Sequence, residues 1–341
     1  MITTTQNEAL TRAKKAKNAR ISKSEKNTVN VFFASDRNYL PYLAVAIQSL
    51  SAHASKKYFY NVRILSEDLT NESFVGIMDK IKPNVKISVF SVSDKISSIK
   101  QELALRLRDY YSDAIYYRIF IAEMFPTLNR AVYLDSDIVL NEDVAKLHFT
   151  PMGENLLGAV TDESVMAMDT FCEYVKKHVK VKRAEDYFNS GVLVMNLEKM
   201  REEKIKDQFI NLLCKYNFKT VAPDQDYLNF LCRGKIHYLD RGWNKHAIQE
   251  NFIERDELYL MHYNMFNKPW KYEGVQNEDL FWKFAKKTSF EELLRSNRDN
   301  FNEKMRKKDD KAAIKLLASA KEIADAKNIS FRKKGKILCS I

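Results

Sequence analysis

The chain has 341 residues, of which 45% are hydrophobic and 12% aromatic, so it can bury a large core and is not a wholly disordered protein. The formal net charge of +11 lies at the two ends: residues 1–26 carry seven basic and two acidic side chains, and residues 303–341 carry twelve and five. The body between them has a net charge of −1, which argues against a basic groove for nucleic acid.

The four cysteines are scattered and lack the spacing of a zinc site, so they predict reduced thiols. No apolar run approaches the roughly 18 residues that cross a bilayer. Residues 1–26 also lack the apolar stretch of a secretory signal. We therefore expect a cytoplasmic protein that begins with a basic tail.

Strand-like and helix-like segments alternate along the first part of the body. Runs rich in β-branched and aromatic residues predict strands, and apolar residues at helical spacing predict helices. In chain order the predicted elements are a strand at 29–35, a helix at 40–50, a strand at 62–65, a helix at 72–81, a strand at 85–90, and helices at 99–108 and 114–125. This alternation predicts an α/β fold with a mostly parallel sheet, whose ligands bind beyond the carboxyl ends of the strands.

The second half continues the pattern and ends in charged helices. Its predicted elements are strands at 131–134, 156–160 and 191–197, one long helix at 198–216, a helix from 224, and strands at 236–239 and 258–261. From about residue 279 the sequence is helical and then strongly basic. The chain therefore divides into a tail at 1–26, an α/β domain at 27–275 and a helical basic extension at 276–341.

The predicted strand 131–134 ends on two carboxylates, Asp135 and Asp137. Ionised aspartates are rarely buried without a partner, so a cation is expected there, and oxygen ligands suit Mg²⁺ or Mn²⁺. Asp224 and Asp226 have the same spacing at the start of a helix, where capping is an equally good explanation. Spacing alone does not choose between the two pairs, whereas the preceding strand favours the first.

A second polar cluster follows the last predicted strand. His262 comes directly after 258–261, and Lys268 precedes a Pro-Trp dipeptide six residues later. A neutral imidazole can complete a Mn²⁺ shell rich in carboxylates, and an ammonium group suits a phosphate. Taken singly, each residue has a simpler explanation: a lone histidine is more often structural than a metal ligand, and the lysine can be a solvated side chain.

Six motifs in order resemble glycosyltransferase family 8, which includes bacterial lipopolysaccharide α-galactosyl- and α-glucosyltransferases and is related to glycogenin. The resemblance spans about residues 28–272. The motifs are Phe33-Ala34-Ser35-Asp36-x-Asn38-Tyr39, Tyr117-Arg118, Tyr133-Leu134-Asp135-Ser136-Asp137, Tyr187-Phe188-Asn189-Ser190-Gly191-Val192, Pro223-Asp224-Gln225-Asp226-x-Leu228-Asn229, and His262-Tyr263 through Lys268-Pro269-Trp270. The resemblance implies a single GT-A domain, which is Rossmann-like and binds a nucleotide sugar.

The resemblance also implies roles for individual residues. The implied metal ligands are Asp135, Asp137 and His262. Ala34, Asp36 and Asn38 are implied to hold the nucleoside, with Asp36 as acceptor for the uracil N–H, and Lys268 is implied to contact the diphosphate. Arg118 and Ser136 are further implied donor contacts, and Asn189 is implied to line the donor sugar. The residues implied to act at the donor sugar are Asp162, Asp224 and Gln225, and Gln225 is assigned to positioning because an amide is a poor nucleophile.

The chain departs from the family at the loop after the metal histidine. Where many members have glycine three residues after that histidine, this sequence has Met265, followed by Phe266. A bulky side chain there bears on how closely the backbone can approach a phosphate.

The resemblance implies a retaining, metal-dependent hexosyltransferase that uses Mn²⁺ or Mg²⁺ to move glucose or galactose from a UDP-sugar to a glycan, glycolipid or glycoprotein. The alternative is a catalytically weak nucleotide-sugar-binding protein of the same fold, and no nucleic-acid partner is expected. Residues 311–327 carry basic side chains around an apolar stripe. This pattern indicates either a solvated helix or a helix that contacts the inner face of an anionic membrane peripherally.

Overall fold

A computed structural model describes residues 27–78, 80–92, 116–248, 253–326 and 331. The predicted tail at 1–26 and the predicted helix at 99–108 lie outside the described residues. The strands, in chain order, are β1 (Thr28–Ala34), β2 (Phe59–Ser66), β3 (Val85–Ser91), β4 (Arg130–Leu134), β5 (Ile138–Leu140), β6 (Leu157–Thr161), β7 (Phe188–Asn196), β8 (Ile236–Tyr238), β9 (Lys245–His246) and β10 (Leu260–His262).

The helices cover the sheet and form most of the last third of the described chain. In chain order they are α1 (Leu40–His53), α2 (Val75–Met78), α3 (Tyr117–Met124), α4 (Ala145–His148), α5 (Glu163–Met166), α6 (Asp169–Tyr174), α7 (Leu197–Glu202), α8 (Ile205–Tyr216), α9 (Pro223–Leu231), α10 (Glu278–Ala285), α11 (Glu291–Asp299) and α12 (Glu303–Asp325). A 3₁₀ turn, Arg241–Asn244, leads into β9.

Seven strands form the central sheet in the order β3-β2-β1-β4-β7-β6-β8. Its pairs are parallel except that β7 runs antiparallel to both of its neighbours, β4 and β6. The predicted α/β fold with a mostly parallel sheet is therefore confirmed. Because β7 runs the opposite way, its amino end lies at the same edge as the carboxyl ends of β1, β4 and β6. The polar residues that follow or begin these four strands are thus brought to one edge.

Apolar side chains cover both faces of the sheet. Along β1, Phe32 packs into one hydrophobic cluster, which includes residues of α3, α6, α8 and α9, whereas Val31 and Phe33 pack into another, which includes α1. The central strands are buried on both faces, so they appear in the sequence as continuous apolar runs instead of alternating ones.

The second sheet has the order β5-β10-β9 and lies next to the polar edge. In its register His262 pairs with Ile138 of β5 on one side and with His246 of β9 on the other. Ile138 directly follows Asp137. The small sheet therefore carries a histidine from late in the chain to the aspartates at the end of β4.

Two of the differences from the sequence prediction concern helices α7, α8 and α12. The single helix predicted at 198–216 is two helices, because Lys204 has a positive φ of 53°. Neither glycine nor proline marks this break, so the pattern gives no sign of it. In α12, Ile314 of the predicted apolar stripe at 311–327 is 67% exposed, whereas Leu316, Leu317 and the fully buried Ala320 form the packed face.

The C-terminal helix is attached to the body by apolar contacts. Leu316 and Leu317 pack against the first cluster, and the fully buried Phe331 lies 4.1 Å from Phe218 and 4.9 Å from Tyr227 between ring centroids. None of the helices in the described ranges is long and apolar enough to span a bilayer.

Candidate active site

The predicted metal ligands meet at one point beyond the end of β4. His262 Nε2 lies 3.3 Å from Asp137 Oδ1 and 3.8 Å from Asp135 Oδ2. One ligand atom from each of the three residues lies within 4.8 Å of the other two. Two carboxylates and an imidazole at this spacing fit a divalent cation such as Mn²⁺ or Mg²⁺. Among the described residues this is the one such group of three or more His, Cys, Asp or Glu side chains.

Gly191 of β7 leaves room for this cluster. A Cβ atom at this position would lie 2.4 Å from His262 Cε1 and 2.6 Å from Asp135 Oδ2. Real Cβ atoms do not approach other atoms so closely, so any side chain here would displace a ligand. The Gly191 carbonyl also accepts the backbone N–H of Asp135 at 2.8 Å, which fixes the start of the Asp-Ser-Asp segment.

Lys268 supplies a positive charge beside the aspartates. Its ammonium donates to Asp137 Oδ2 and to the carbonyl of Tyr263, and its side chain is 7% exposed. Burial opposes ionisation of Asp137, but Lys268 and His262 outweigh burial and hold the pKa of Asp137 below its usual range. Asp137 is therefore ionised and available to a cation at neutral pH.

Arg118 of α3 links the metal cluster to the residues on α9. Its guanidinium lies 2.9 Å from Asp135 Oδ1 and 3.2 Å from Asp224 Oδ2, and it donates to the carbonyl of Ser190 at 2.6 Å. It also lies 4.4 Å above the ring of Tyr133. One buried cation thus compensates two carboxylates. Burial opposes the charge of Arg118, but Asp135 and Asp224 outweigh it and raise the pKa of the guanidinium.

The residues predicted to face the donor sugar form a closed hydrogen-bond network. Asp162 Oδ2 accepts from Asn189 Nδ2 and from Gln225 Nε2, each at 2.9 Å. Gln225 Oε1 accepts the backbone N–H of Ser190 at 2.9 Å, so the amide of Gln225 is held at both ends. Asp224 Oδ2 accepts from Ser190 Oγ at 3.0 Å. Burial raises the pKa of Asp224, and the nearby Arg118 counteracts the rise.

The second Asp-x-Asp pair is not a metal pair. Asp224 faces the site, but Asp226 is fully buried and accepts from the hydroxyls of Tyr174 at 2.6 Å and Tyr187 at 2.7 Å. Burial raises the pKa of Asp226 to about 7. The two carboxylates point to different places, which resolves the ambiguity that spacing alone left open.

The four remaining predicted residues lie at or near the carboxyl end of β1. Ser136 Oγ donates to the carbonyl of Ala34 at 3.1 Å, which ties the Asp-Ser-Asp segment to β1. Asp36 Oδ1 accepts the backbone N–H of Tyr39 at 3.0 Å, just before α1. Asn38 is exposed.

A cavity of about 360 Å³ contains the metal cluster. Nine of the thirteen predicted site residues line it: Arg118, Asp135, Asp137, Asp162, Asn189, Asp224, Gln225, His262 and Lys268. Ala34, Asp36, Asn38 and Ser136 do not line this cavity, although Tyr39 beside them does.

Met265 keeps the backbone shape that a glycine would adopt. Its φ is +57°, in the left-handed region that favours glycine, and its side chain is 45% exposed and lines the cavity. A non-glycine residue in this conformation costs about 1–2 kcal/mol. The loop thus keeps its left-handed backbone conformation although Met265 stands where many family members have glycine. The methionine adds an apolar side chain to the lining of the cavity.

Sequence reasoning missed two buried residues beside His262. Asn244 Oδ1 lies 2.8 Å from His262 Nδ1, and the His246 ring meets the His262 ring edge-on at 5.4 Å between centroids. Asn244 lies in an Arg-Gly-Trp-Asn segment, which has the composition of an ordinary turn. Only the pairing of β9 with β10 reveals that both residues adjoin the metal cluster.

The fold and the edge site define a glycosyltransferase of the GT-A type. A family model described as glycosyl transferase family 8 matches residues 30–274. The chain belongs to glycosyl transferase family 8.

Relatives of known description agree with this assignment. A putative glycosyltransferase of Haemophilus influenzae is 29% identical over 253 residues, which is 71% of this chain and 73% of the relative. A lipopolysaccharide 1,2-glucosyltransferase of Escherichia coli K12 is 25% identical over 289 residues, which is 80% of each chain.

Solved structures share the fold. WbbM, a bifunctional glycosyltransferase, superposes with a TM-score of 0.68 at 23% identity, covering 80% of this chain and 52% of its own, so this chain spans about half of that protein. The galactosyltransferase LgtC, in complex with donor and acceptor sugar analogues, superposes with a TM-score of 0.61 at 22% identity, covering 76% of this chain and 96% of its own.

The Gly191 contacts generate a prediction about the cluster. Gly191→Ala should lower Mn²⁺ affinity, measured by calorimetry on the protein without donor, by about tenfold or more, because the new methyl group displaces His262 or Asp135. Gly76→Ala is the matched control, since a Cβ there meets nothing within 4 Å. Equal Mn²⁺ affinity of the two variants would contradict the assigned geometry.

Proposed function

We propose that the chain is a retaining hexosyltransferase that moves glucose or galactose from a UDP-sugar to a sugar acceptor with the help of Mn²⁺ or Mg²⁺. The observation that carries the proposal is the meeting of Asp135, Asp137 and His262 at one point, with the Lys268 ammonium on the same carboxylate. Membership of family 8 supports a nucleotide-sugar donor.

Cleavage of the anomeric bond builds negative charge on the leaving diphosphate. A divalent cation held by the two aspartates and the histidine would act as a Lewis acid and stabilise that charge by several kcal/mol. Lys268 is aligned to help, because its ammonium is already held at the edge of the cluster by Asp137 and the Tyr263 carbonyl. Arg118 keeps Asp135 compensated, so the binding groups are preorganised.

The residues on the sugar side hold the substrate in position. Both ends of the Gln225 amide are already used by protein groups, which supports a positioning role and not a nucleophilic one. Asp224 and Asp162 are the carboxylates closest to the donor sugar in this proposal. Asp224 is neutralised by Arg118, so sugar hydroxyls are a suitable partner for its remaining lone pairs.

The uracil end of the donor is assigned to the segment after β1. Asp36 Oδ1 already caps the Tyr39 N–H, which leaves its second oxygen as the acceptor for the uracil N–H. Ala34 and Asn38 flank this acceptor, and Ser136 fixes the Ala34 carbonyl.

The rival reading is a nucleotide-sugar-binding protein that has lost transfer activity. All three candidate ligands, the neighbouring lysine and the held glutamine are present in one cavity. This complete set favours an active enzyme, and metal-dependent hydrolysis of a UDP-sugar without acceptor separates the two possibilities.

A groove of about 620 Å³ continues from the donor cavity, and the two share Ser164, Phe171, Asn264, Met265 and Leu316. We assign the acceptor to this groove. Its other lining residues are Ala167, Met168, Ala247, Ile248, Phe266, Asn267, Tyr272, Glu273, Gly274, Val275, Gln276, Ala313 and Leu317. Among the described residues that line it, Glu273 alone carries a charge. An uncharged glycan next to an apolar aglycone fits this lining better than a phosphorylated acceptor, which would require cations.

The metal assignment gives the first test of the proposed reaction. His262→Ala should lower the rate of hexose transfer, measured with UDP-glucose and UDP-galactose in Mn²⁺, by about tenfold or more, which is about 1.4 kcal/mol of barrier. His237→Ala on β8 is the control, because His237 lies outside the cavity lining. Near-normal transfer by His262→Ala at limiting Mn²⁺ would show that His262 is not a metal ligand.

The groove gives a second test. Leu316→Gln should raise the acceptor KM for octyl hexosides by about fivefold, because a polar side chain weakens apolar contact with the aglycone. Hydrolysis of the UDP-sugar without acceptor should change less than the acceptor KM, although Leu316 lines both cavities. Ile314→Gln on the exposed side of the same helix is the matched control. An unchanged KM in Leu316→Gln would place the acceptor elsewhere.

Peripheral contact with an anionic membrane stays a prediction. The apolar side of α12 packs against the body, so contact would rest on its exposed basic residues, such as Lys304, Lys308 and Lys311. Each contributes about 1 kcal/mol near an anionic surface. Replacing these three by glutamate should weaken co-sedimentation with phosphatidylglycerol vesicles at low salt by about tenfold or more. Equal vesicle binding by this variant and the wild-type protein would contradict the proposed membrane contact.

A further inference from the structure

A line of buried side-chain amides runs from Asp162 to the metal cluster. Asp162 Oδ2 lies 2.9 Å from Asn189 Nδ2, Asn189 Oδ1 lies 3.0 Å from Asn244 Nδ2, and Asn244 Oδ1 lies 2.8 Å from His262 Nδ1. Asn244 is fully buried, and Asp162, Asn189 and His262 are 4%, 7% and 2% exposed. Water therefore competes little for these hydrogen bonds, and each polar group relies on its neighbour in the line as a hydrogen-bond partner.

Two neighbours of Asn189, namely Asp162 and the Gly191 N–H, fix the direction of every bond in this line. The oxygen Asp162 Oδ2 accepts from Asn189, so Asn189 turns its NH₂ group towards it. The backbone N–H of Gly191 can only donate, and it points at Asn189 Oδ1 at 2.9 Å. The oxygen of Asn189 therefore faces Asn244. Asn244 must then present its NH₂ group to Asn189 and its oxygen to the imidazole.

We propose that the Asp162–Asn189–Asn244 line sets the tautomer and the ring orientation of His262, and that Asn244 is a positioning residue for metal binding. An oxygen acceptor at Nδ1 requires the proton on that nitrogen, which leaves the Nε2 lone pair directed at Asp135 and Asp137. Second-sphere partners of this kind commonly affect metal affinity about 10- to 100-fold. The inference rests on the proposed metal function.

Asp162 orients side chains on two sides of the site. This carboxylate accepts from Gln225 as well as from Asn189, so one residue orients both the amide assigned to the donor sugar and, through two asparagines, the metal histidine. A change at Asp162 should therefore alter metal binding even in the absence of donor, although its side chain is not one of the ligands.

Mn²⁺ affinity of the protein without nucleotide sugar, measured by calorimetry and by the loss of the free Mn²⁺ EPR signal, tests the proposal. Asn244→Ala should weaken affinity by about tenfold or more, because the imidazole loses its acceptor. Asn244→Asp keeps an acceptor at Nδ1 and should stay within about threefold of the wild type. Asp162→Asn should weaken affinity measurably but less than Asn244→Ala, since the Gly191 N–H still holds the Asn189 oxygen towards Asn244.

Asn229→Ala controls for the general cost of removing a buried asparagine. Asn229 is 2% exposed and bonds to the backbone of Phe188, next to Asn189, but it is not part of the line. Its variant should lose thermal stability and keep Mn²⁺ affinity. Equal affinity losses in Asn229→Ala and Asn244→Ala, or an Asn244→Ala variant that binds Mn²⁺ like the wild type, would overturn the positioning role. Absence of Mn²⁺ binding by the wild-type protein would instead overturn the metal function itself.

Discussion

The organisation of this site follows from two carboxylates at the edge of a buried sheet. Asp135 and Asp137 leave β4 with 27% and 13% of their side chains exposed, so each is partly removed from water and unpaired charge there would be costly. Each aspartate pairs with one cationic side chain: Asp135 with Arg118 from α3, and Asp137 with Lys268 from the loop after β10. Each of these cations also makes a second polar contact, so compensation of the aspartates fixes the surrounding loops as well.

The same edge brings together parts of the chain that are remote in sequence. The reversed direction of β7 places Asn189, Ser190 and Gly191 beside the ends of β4 and β6. The small sheet then adds His262 and, behind it, Asn244. Polar residues from five strands and turns therefore act on one cavity, and its electrostatics depend on sheet topology more than on any single loop.

The sequence was most informative where a motif coincided with a strand end. The apolar runs before Asp135 and before His262 each predicted a strand, and the order of six motifs predicted the family and the fold. The assignment of His262 as a ligand came from the resemblance to the family. The sequence pattern could not reveal the helix break at Lys204, because neither glycine nor proline marks this residue, whose backbone has a positive φ. It also could not reveal Asn244, since its role arises from the pairing of β9 with β10. The deep burial of Asp226, held by two tyrosines, likewise depends on tertiary packing.

Helix α12 bears on the proposed acceptor groove more than on the donor cavity. Its residues line the groove assigned to the acceptor, whereas the groups assigned to the cation, the diphosphate and the donor sugar all belong to residues before α10. The other fifteen of the eighteen residues that line the groove precede α10, so α12 contributes one wall of it. Chimaeras that exchange the segment after residue 300 between family members would therefore replace this one wall and retain every residue assigned to the cation and the diphosphate.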